Sequence, residues 1–264
     1  MIRIAAVADV HLAPDVCGTI RPHLAGIGAR ADALLLAGDL TQHGTVAEAE
    51  VAAGEFRDVG VPVVAVLGNH DYHGDAQDEI TALLEAAGIT VLEGRGVVLE
   101  VPGGRLGIAG TKGFGVGFPG RAGSDFGEPE MKEFVRHSRR LADGLDQALR
   151  GLDADVRVAL THYAPVADTL AGEPPEIYPF LGSYFLAEAI DGAGADLAVH
   201  GHAHAGQEHG VTPGGTMVRN VALPVIRRAY AVYALPSRPS AEPEVRTPAW
   251  PGASPPRPGR ARTG

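Results

Sequence analysis

Short apolar runs recur along the chain, and most of them stop on a polar residue or a glycine. Residues 2–8, 33–37, 61–67, 156–161 and 197–199 are β-rich or continuously apolar and of strand length. Runs this uniform predict strands covered on both faces. Between them the spacing predicts helices at about 19–30, at 45–59 behind Gly44, at 76–87, from Pro129 onward for a long stretch, and at 184–189. The runs 89–92, 97–101 and 106–109 are separated by glycine-rich turns and read as a meander, as do 216–221 and 230–235. Residues 211–215, with His209 nearby, read as a turn between strands. Alternating β and α elements with an antiparallel portion predict a layered α/β fold in one domain, and no internal repeat is visible.

The pattern fails over 236–264. That stretch holds eight prolines and five arginines against two glutamates, and Trp250 is its only large apolar residue after Val245. It has too little to bury to offset chain entropy, so a folded domain at 1–235 and a disordered, Pro/Arg-rich tail at 236–264 are expected.

Composition sharpens this picture. A chain of 264 residues can bury a full core, and 45% hydrophobic with 20% charged residues excludes a disordered, collagenous or coiled-coil chain. No run reaches the ~18 apolar residues of a membrane span. The first run meets Asp9 before an apolar signal core is complete, so no membrane contact and a cytoplasmic location are expected. The formal charge of −10 is uneven: the tail is basic and leaves −13 on residues 1–235. So acidic a body disfavours nucleic acid as a partner, because sequence-independent binding neutralises phosphates with Lys and Arg. Lys112, Lys132, Arg139 and Arg140, with Arg121 and Arg136 between them, form a modest phosphate-attracting rim. Residues 112–127 carry six glycines, but no Lys-Ser/Thr follows in Walker spacing and no helix opens at the last glycine. A flexible loop beside the site is expected there instead of a phosphate cradle.

One cysteine, Cys17, excludes an internal disulfide framework and a thiolate-rich zinc site, so a metal would have to use His, Asp, Glu or Asn; there are 11 histidines. Polar residues stand where the strands end: Asp9 and His11, Asp39 after Gly38, Asn69-His70-Asp71 after Gly68, His162, and His202 and His204 after Gly201. In an open α/β sheet, groups at the carboxyl ends of neighbouring strands converge on one crevice. Carboxylate and amide oxygens together with imidazoles suit iron, manganese or zinc. Seven ligands drawn from this set would over-supply one metal, and two metals about 3.5–4 Å apart bridged by a carboxylate use them economically.

In this order the blocks D-x-H, G-D, G-N-H-D, a lone H and G-H-x-H resemble the calcineurin-like metallophosphoesterases, and they span Asp9 to His204. The resemblance implies a four-layer α-β-β-α sandwich of two mixed sheets flanked by helices, holding a pair of divalent metal ions, Mn, Fe or Zn. It implies Asp9, His11 and His204 on the first metal, Asn69, His162 and His202 on the second, and Asp39 bridging them. His70 would face the substrate phosphate and donate a proton to the leaving oxygen or stabilise the transition state, with Asp71 fixing its tautomer. The implied reaction is in-line attack by a metal-bound hydroxide on a small phosphodiester or phosphomonoester, with no phosphoenzyme.

Departures narrow the subfamily. Protein Ser/Thr phosphatases place Asp and Arg where Gln42 and His43 stand, and they use G-N-H-E. Purple acid phosphatases place a metal-binding tyrosine at Gln42. The set looks most like the small bacterial phosphodiesterases of the family, a group that includes cyclic-nucleotide hydrolases. A nuclease of the same family and a non-catalytic scaffold are the competing readings, the second disfavoured because all seven ligands are of the right type. His43, His73, Tyr72, Tyr163 and Arg121 are candidates to line the pocket, whereas His200 is expected to be structural.

Overall fold

Each of the five uniform apolar runs contains a strand, and the strands divide between two sheets. The computed structural model describes residues 1–236. Its chain runs β1 (Ile2–Val7), β2 (Ala33–Ala37), α1 (Val46–Phe56), β3 (Val63–Val66), α2 (Gln77–Ala86), β4 (Ile89–Val91), β5 (Arg95–Val101) and β6 (Gly104–Thr111). There follow β7 (Gly117–Phe118), β8 (Arg121–Ala122), α3 (Pro129–Arg150), β9 (Val156–Thr161), α4 (Tyr178–Leu181) and α5 (Tyr184–Ala193). The last elements are β10 (Leu197–His200), β11 (His209–Val211), β12 (Met217–Asn220), α6 (Leu223–Ile226) and β13 (Ala231–Leu235).

The first sheet has the order β13-β1-β2-β3-β4, all parallel except β13, which sets Leu235 opposite Ile2. The second has the order β11-β12-β10-β9-β6-β5, parallel in its centre and antiparallel at both edges. Alternation within the second sheet builds the layers. Ile108, Val158 and Val199 join the core shared with the first sheet, while their neighbours Ala109, Ala159 and Ala198 face a second cluster with Leu145 and Leu149 of α3 and Ile190 of α5. The small side chains let those helices lie close. On the other side α1 and α2 contribute Ala52, Phe56, Ile80 and Leu84 to the shared core. Helix, sheet, sheet, helix is the four-layer sandwich expected, and both sheets are mixed.

Local chemistry sets the helix ends. Thr45 caps α1 in a reciprocal box with Glu48, α3 opens on Pro129, and α5 is capped by Ser183 and closed by Gly194 at φ 69°. The helix expected at 19–30 is absent. Pro22 and the left-handed Gly26, at φ 71°, break it into two 3-10 turns, and the buried Glu55 carboxylate anchors the start of the first through the N–H groups of Ile20 and Arg21.

The expected meanders are also corrected. Residues 89–91 follow a crossover helix and pair parallel to β3, so only β5 and β6 form the antiparallel pair. Residues 217–220 and 231–235 belong to different sheets. His209 lies in β11, which is joined to β12 by a turn over 212–216. The glycine-rich segment folds around the β7–β8 hairpin, with the N–H groups of Val116 and Gly117 on the Gly182 carbonyl. The tail expected at 236–264 lies, apart from Pro236, outside the described residues. Among the described residues no helix is long and apolar enough to cross a membrane.

Candidate metal centre

The carboxyl ends of β1, β2 and β3 in one sheet and of β9 and β10 in the other meet in one crevice. Backbone bonds stitch them: Asp9 N–H donates to the Gly38 carbonyl (3.0 Å), His11 N–H to Asp39 (3.1 Å), and Gly201 N–H to His162 (3.1 Å). The chain turns sharply as it leaves each strand. Asp9, His11, Asp39 and His202 hold left-handed backbone at φ 57°, 43°, 52° and 70°, a conformation non-glycine residues rarely adopt and one concentrated at functional sites. Gly68 and Gly201 are glycine for space, since a Cβ there would overlap the carboxylates of Asp39 and Asp9 respectively.

Candidate ligand atoms of Asp9, His11 and His204 lie within 4.8 Å of one another, and so do those of Asp39, His162 and His202. His204 Nε2 is 2.9 Å from Asp9 Oδ1 and 3.5 Å from His11 Nε2. Asn69 joins the second group, its Oδ1 2.9 Å from His162 Nε2. A third grouping of His11, Asp39 and His70 connects the two. All seven residues expected as ligands are therefore brought together.

Hydrogen bonds choose the ring atoms. His162 Nδ1–H donates to the Ala37 carbonyl (2.9 Å), which turns Nε2 toward Asn69 Oδ1 at 2.9 Å and toward Asp39 Oδ1 at 3.4 Å. A divalent cation taking the place of the Nε2 proton would meet one nitrogen and two oxygen donors there, a set that fits the divalent metals expected. His202 donates Nε2–H to the Phe180 carbonyl (3.2 Å), which leaves Nδ1 as its acceptor, while its own backbone N–H donates to the Asp9 carboxylate.

The electrostatics favour positive charge at the same spot. Burial opposes the charge of Asp39, yet His162 and the His70 N–H hold its carboxyl well below the usual carboxylate range. Burial also opposes the charge of His162, but the Asp39 carboxylate prevails and pushes it up to about 9. Burial and then His162 push His202 down to about 3. Burial lowers His11, whereas a hydrogen bond to Asp9 raises His204.

His70 and Asp71 do not act as a pair. The His70 ring donates Nδ1–H to the Gln42 carbonyl (2.7 Å), leaving Nε2 4.0 Å from Asp39 Oδ2. Asp71, expected to fix that tautomer, instead points into the protein. Its carboxylate accepts from Leu40 N–H (3.3 Å), Thr41 N–H (2.8 Å), the Thr41 hydroxyl (2.6 Å) and Gly68 N–H (2.7 Å). Burial, then the Asp39 charge, raises its pKa against those four donors. Asp71 thus ties the β2 and β3 turns together, and the backbone of Gln42 orients His70. Asp71→Ala, which strands four buried donors, is expected to cost about 2–4 kcal/mol in urea unfolding and to reduce metal uptake. Unchanged stability would refute the tie.

Among the remaining candidates, the ring of Tyr163 packs 4.4 Å from that of His202, and the exposed His73 ring lies 4.4 Å from that of His70. His43 is bonded to Glu48 at the start of α1, and Arg121 lies over the Tyr178 ring, 5.6 Å from its centroid. His200 is buried with both ring nitrogens bonded, to Gly201 and Thr169, and burial pushes it down to about 4. The carbonyls of Ala37, Gln42 and Phe180 carry no signal in the side-chain sequence.

The chain belongs to the calcineurin-like phosphoesterase family, whose sequence profile matches residues 2–206. It is accordingly a metallophosphoesterase-type hydrolase. No curated protein matches it. A phosphopantetheinyl hydrolase from Mycobacterium tuberculosis is similar in structure at TM-score 0.63 and 16% identity, over 85% of this chain and 90% of that one. TT1561 of Thermus thermophilus is similar at 0.55 and 17%, over 83% and 88%. GAP50, the anchor in the inner membrane complex of Plasmodium, is similar at 0.52 and 13%, over 84% and 71%. At these identities the likeness is one of fold, and a fold does not decide chemistry.

Proposed function

We propose that the chain hydrolyses small phosphodiesters or phosphomonoesters, cyclic nucleotides included, with two divalent cations held by Asp9, His11, Asp39, Asn69, His162, His202 and His204. The observation that carries this reading is the convergence of the candidate ligand atoms of His162, Asn69 and Asp39, beside a second group of Asp9, His11 and His204. Bound there, two cations would supply Lewis acidity toward the phosphoryl oxygens and a water of lowered pKa. The residues do the rest. Asp39, buried and kept ionised, holds negative charge between the groups. His70 keeps Nδ1–H on the Gln42 carbonyl while Nε2 hands its proton to the leaving oxygen, so the ring ends in the same tautomer each time.

Complete ligand sets speak against a non-catalytic scaffold. The acidic body speaks for small substrates over nucleic acid, and we place the protein in the cytoplasm. The test is a panel of phosphomonoesters, linear phosphodiesters and cyclic nucleotides with added Mn, Fe or Zn. Hydrolysis that a chelator removes is expected, and none on any substrate with any metal would refute the reading. Removing 236–264 is expected to leave kcat and KM on a small substrate unchanged; a large loss would show that this segment reaches the site.

A further inference from the structure

Lys112 follows β6 directly and is built into the edge of the centre. Its carbonyl accepts the N–H groups of His162 and Tyr163, both at 3.1 Å, and its own N–H donates to Glu93 Oε2 at 2.9 Å. The residue is only 8% exposed. Its ammonium lies 4.8, 5.0 and 5.3 Å from the ring centroids of Tyr72, Phe114 and Tyr163. Tyr163 packs on His202, and Tyr72 belongs to the turn that carries His70, so the cage stands between two sides of the same crevice.

Among the described residues no side chain or carbonyl makes a hydrogen bond or ion pair with Nζ, while the Glu93 and Asp39 carboxylates act on it electrostatically from farther off. Desolvating an ammonium is costly, and ring faces return only about 0.5–2 kcal/mol of that. A methionine would fill an aromatic cage without the cost. Three N–H donors are left for an anion, in the crevice where a phosphoryl group is proposed to bind.

We propose that Lys112 binds the additional charged oxygen of a phosphomonoester dianion, and so selects monoesters over diesters; this rests on the phosphoesterase reading above. A monoester carries nearly two negative charges above neutral pH, whereas a diester carries one. An ammonium beside the cation site balances the second charge and offers nothing comparable to the diester.

The test uses the full chain supplied with Mn²⁺ at pH 8, as wild type, Lys112→Met and Lys112→Arg, with Lys112→Gln as a second neutral variant should methionine lower the melting temperature. Calorimetry reads the binding of inorganic phosphate and of dimethyl phosphate. Loss of the charge is expected to weaken phosphate by about 10–100-fold and dimethyl phosphate by less than about threefold, with bound manganese unchanged and arginine recovering most of the loss. The same split is expected in kcat/KM for 4-nitrophenyl phosphate against bis(4-nitrophenyl) phosphate. Equal weakening of both ligands, no weakening of either, or no phosphate binding by the wild type would overturn the proposal. A wild type that binds phosphate with this selectivity but hydrolyses no ester would refute the proposed function alone.

Discussion

Asp39→Asn is expected to abolish phosphoester hydrolysis and to lower bound metal from about two equivalents to one or fewer, measured by elemental analysis after gel filtration. The substitution keeps the shape of the side chain and the oxygen that accepts His70 N–H at 2.8 Å. What it removes is the charge. Asp39 belongs to two of the three ligand groupings, with His162 at 3.4 Å from Oδ1 and His11 at 3.9 Å from Oδ2. On the proposed two-cation reading, a neutral amide in that place would leave the cations to repel each other with no negative charge between them. Unchanged circular dichroism would show that folding is not the cause, and full metal content with full activity would sink the two-cation reading.

His70→Ala is expected to reduce kcat by roughly 10²–10⁴ and to leave metal content intact, the usual scale for removing a general acid. The loss should depend on the leaving group: small for 4-nitrophenolate, which departs without a proton, and large for an alkoxide. His70 Nε2 also lies 4.0 Å from Asp39 Oδ2, in a grouping with His11. A collapse of metal content would therefore assign His70 to the ligands, and a loss blind to leaving group would assign it to phosphate binding.

Much of the centre is legible in the sequence because its residues follow strands whose apolar runs are visible, and because parallel neighbours end on the same side. Periodicity locates strand ends well and says nothing of what pairs with what. For that reason the strand at 89–91 reads as part of a meander, and nothing in 217–220 and 231–235 separates them into two sheets. Adjacency misleads in the same way at Asp71. Next to His70 in sequence, it is carried by the 3-10 turn His70–Tyr72 to the opposite side, where backbone donors from 40, 41 and 68 await it. Lys112 is visible only as one cation among several on a glycine-rich segment. Its three rings come from positions 72, 114 and 163, and no local pattern joins them.

The left-handed backbone at Asp9, His11, Asp39 and His202 sets stability against activity. Each is a residue with a Cβ in a conformation that costs roughly 1–2 kcal/mol and that glycine accepts freely. Glycine at any of the four would relieve that local cost while emptying part of the centre. A screen of variants for thermal tolerance alone would thus drift toward chains that fold better and do nothing. The three other left-handed non-glycine positions, Asp58, Asp75 and Arg227, offer the same relief at positions the proposed chemistry does not use, and engineering for stability should begin there.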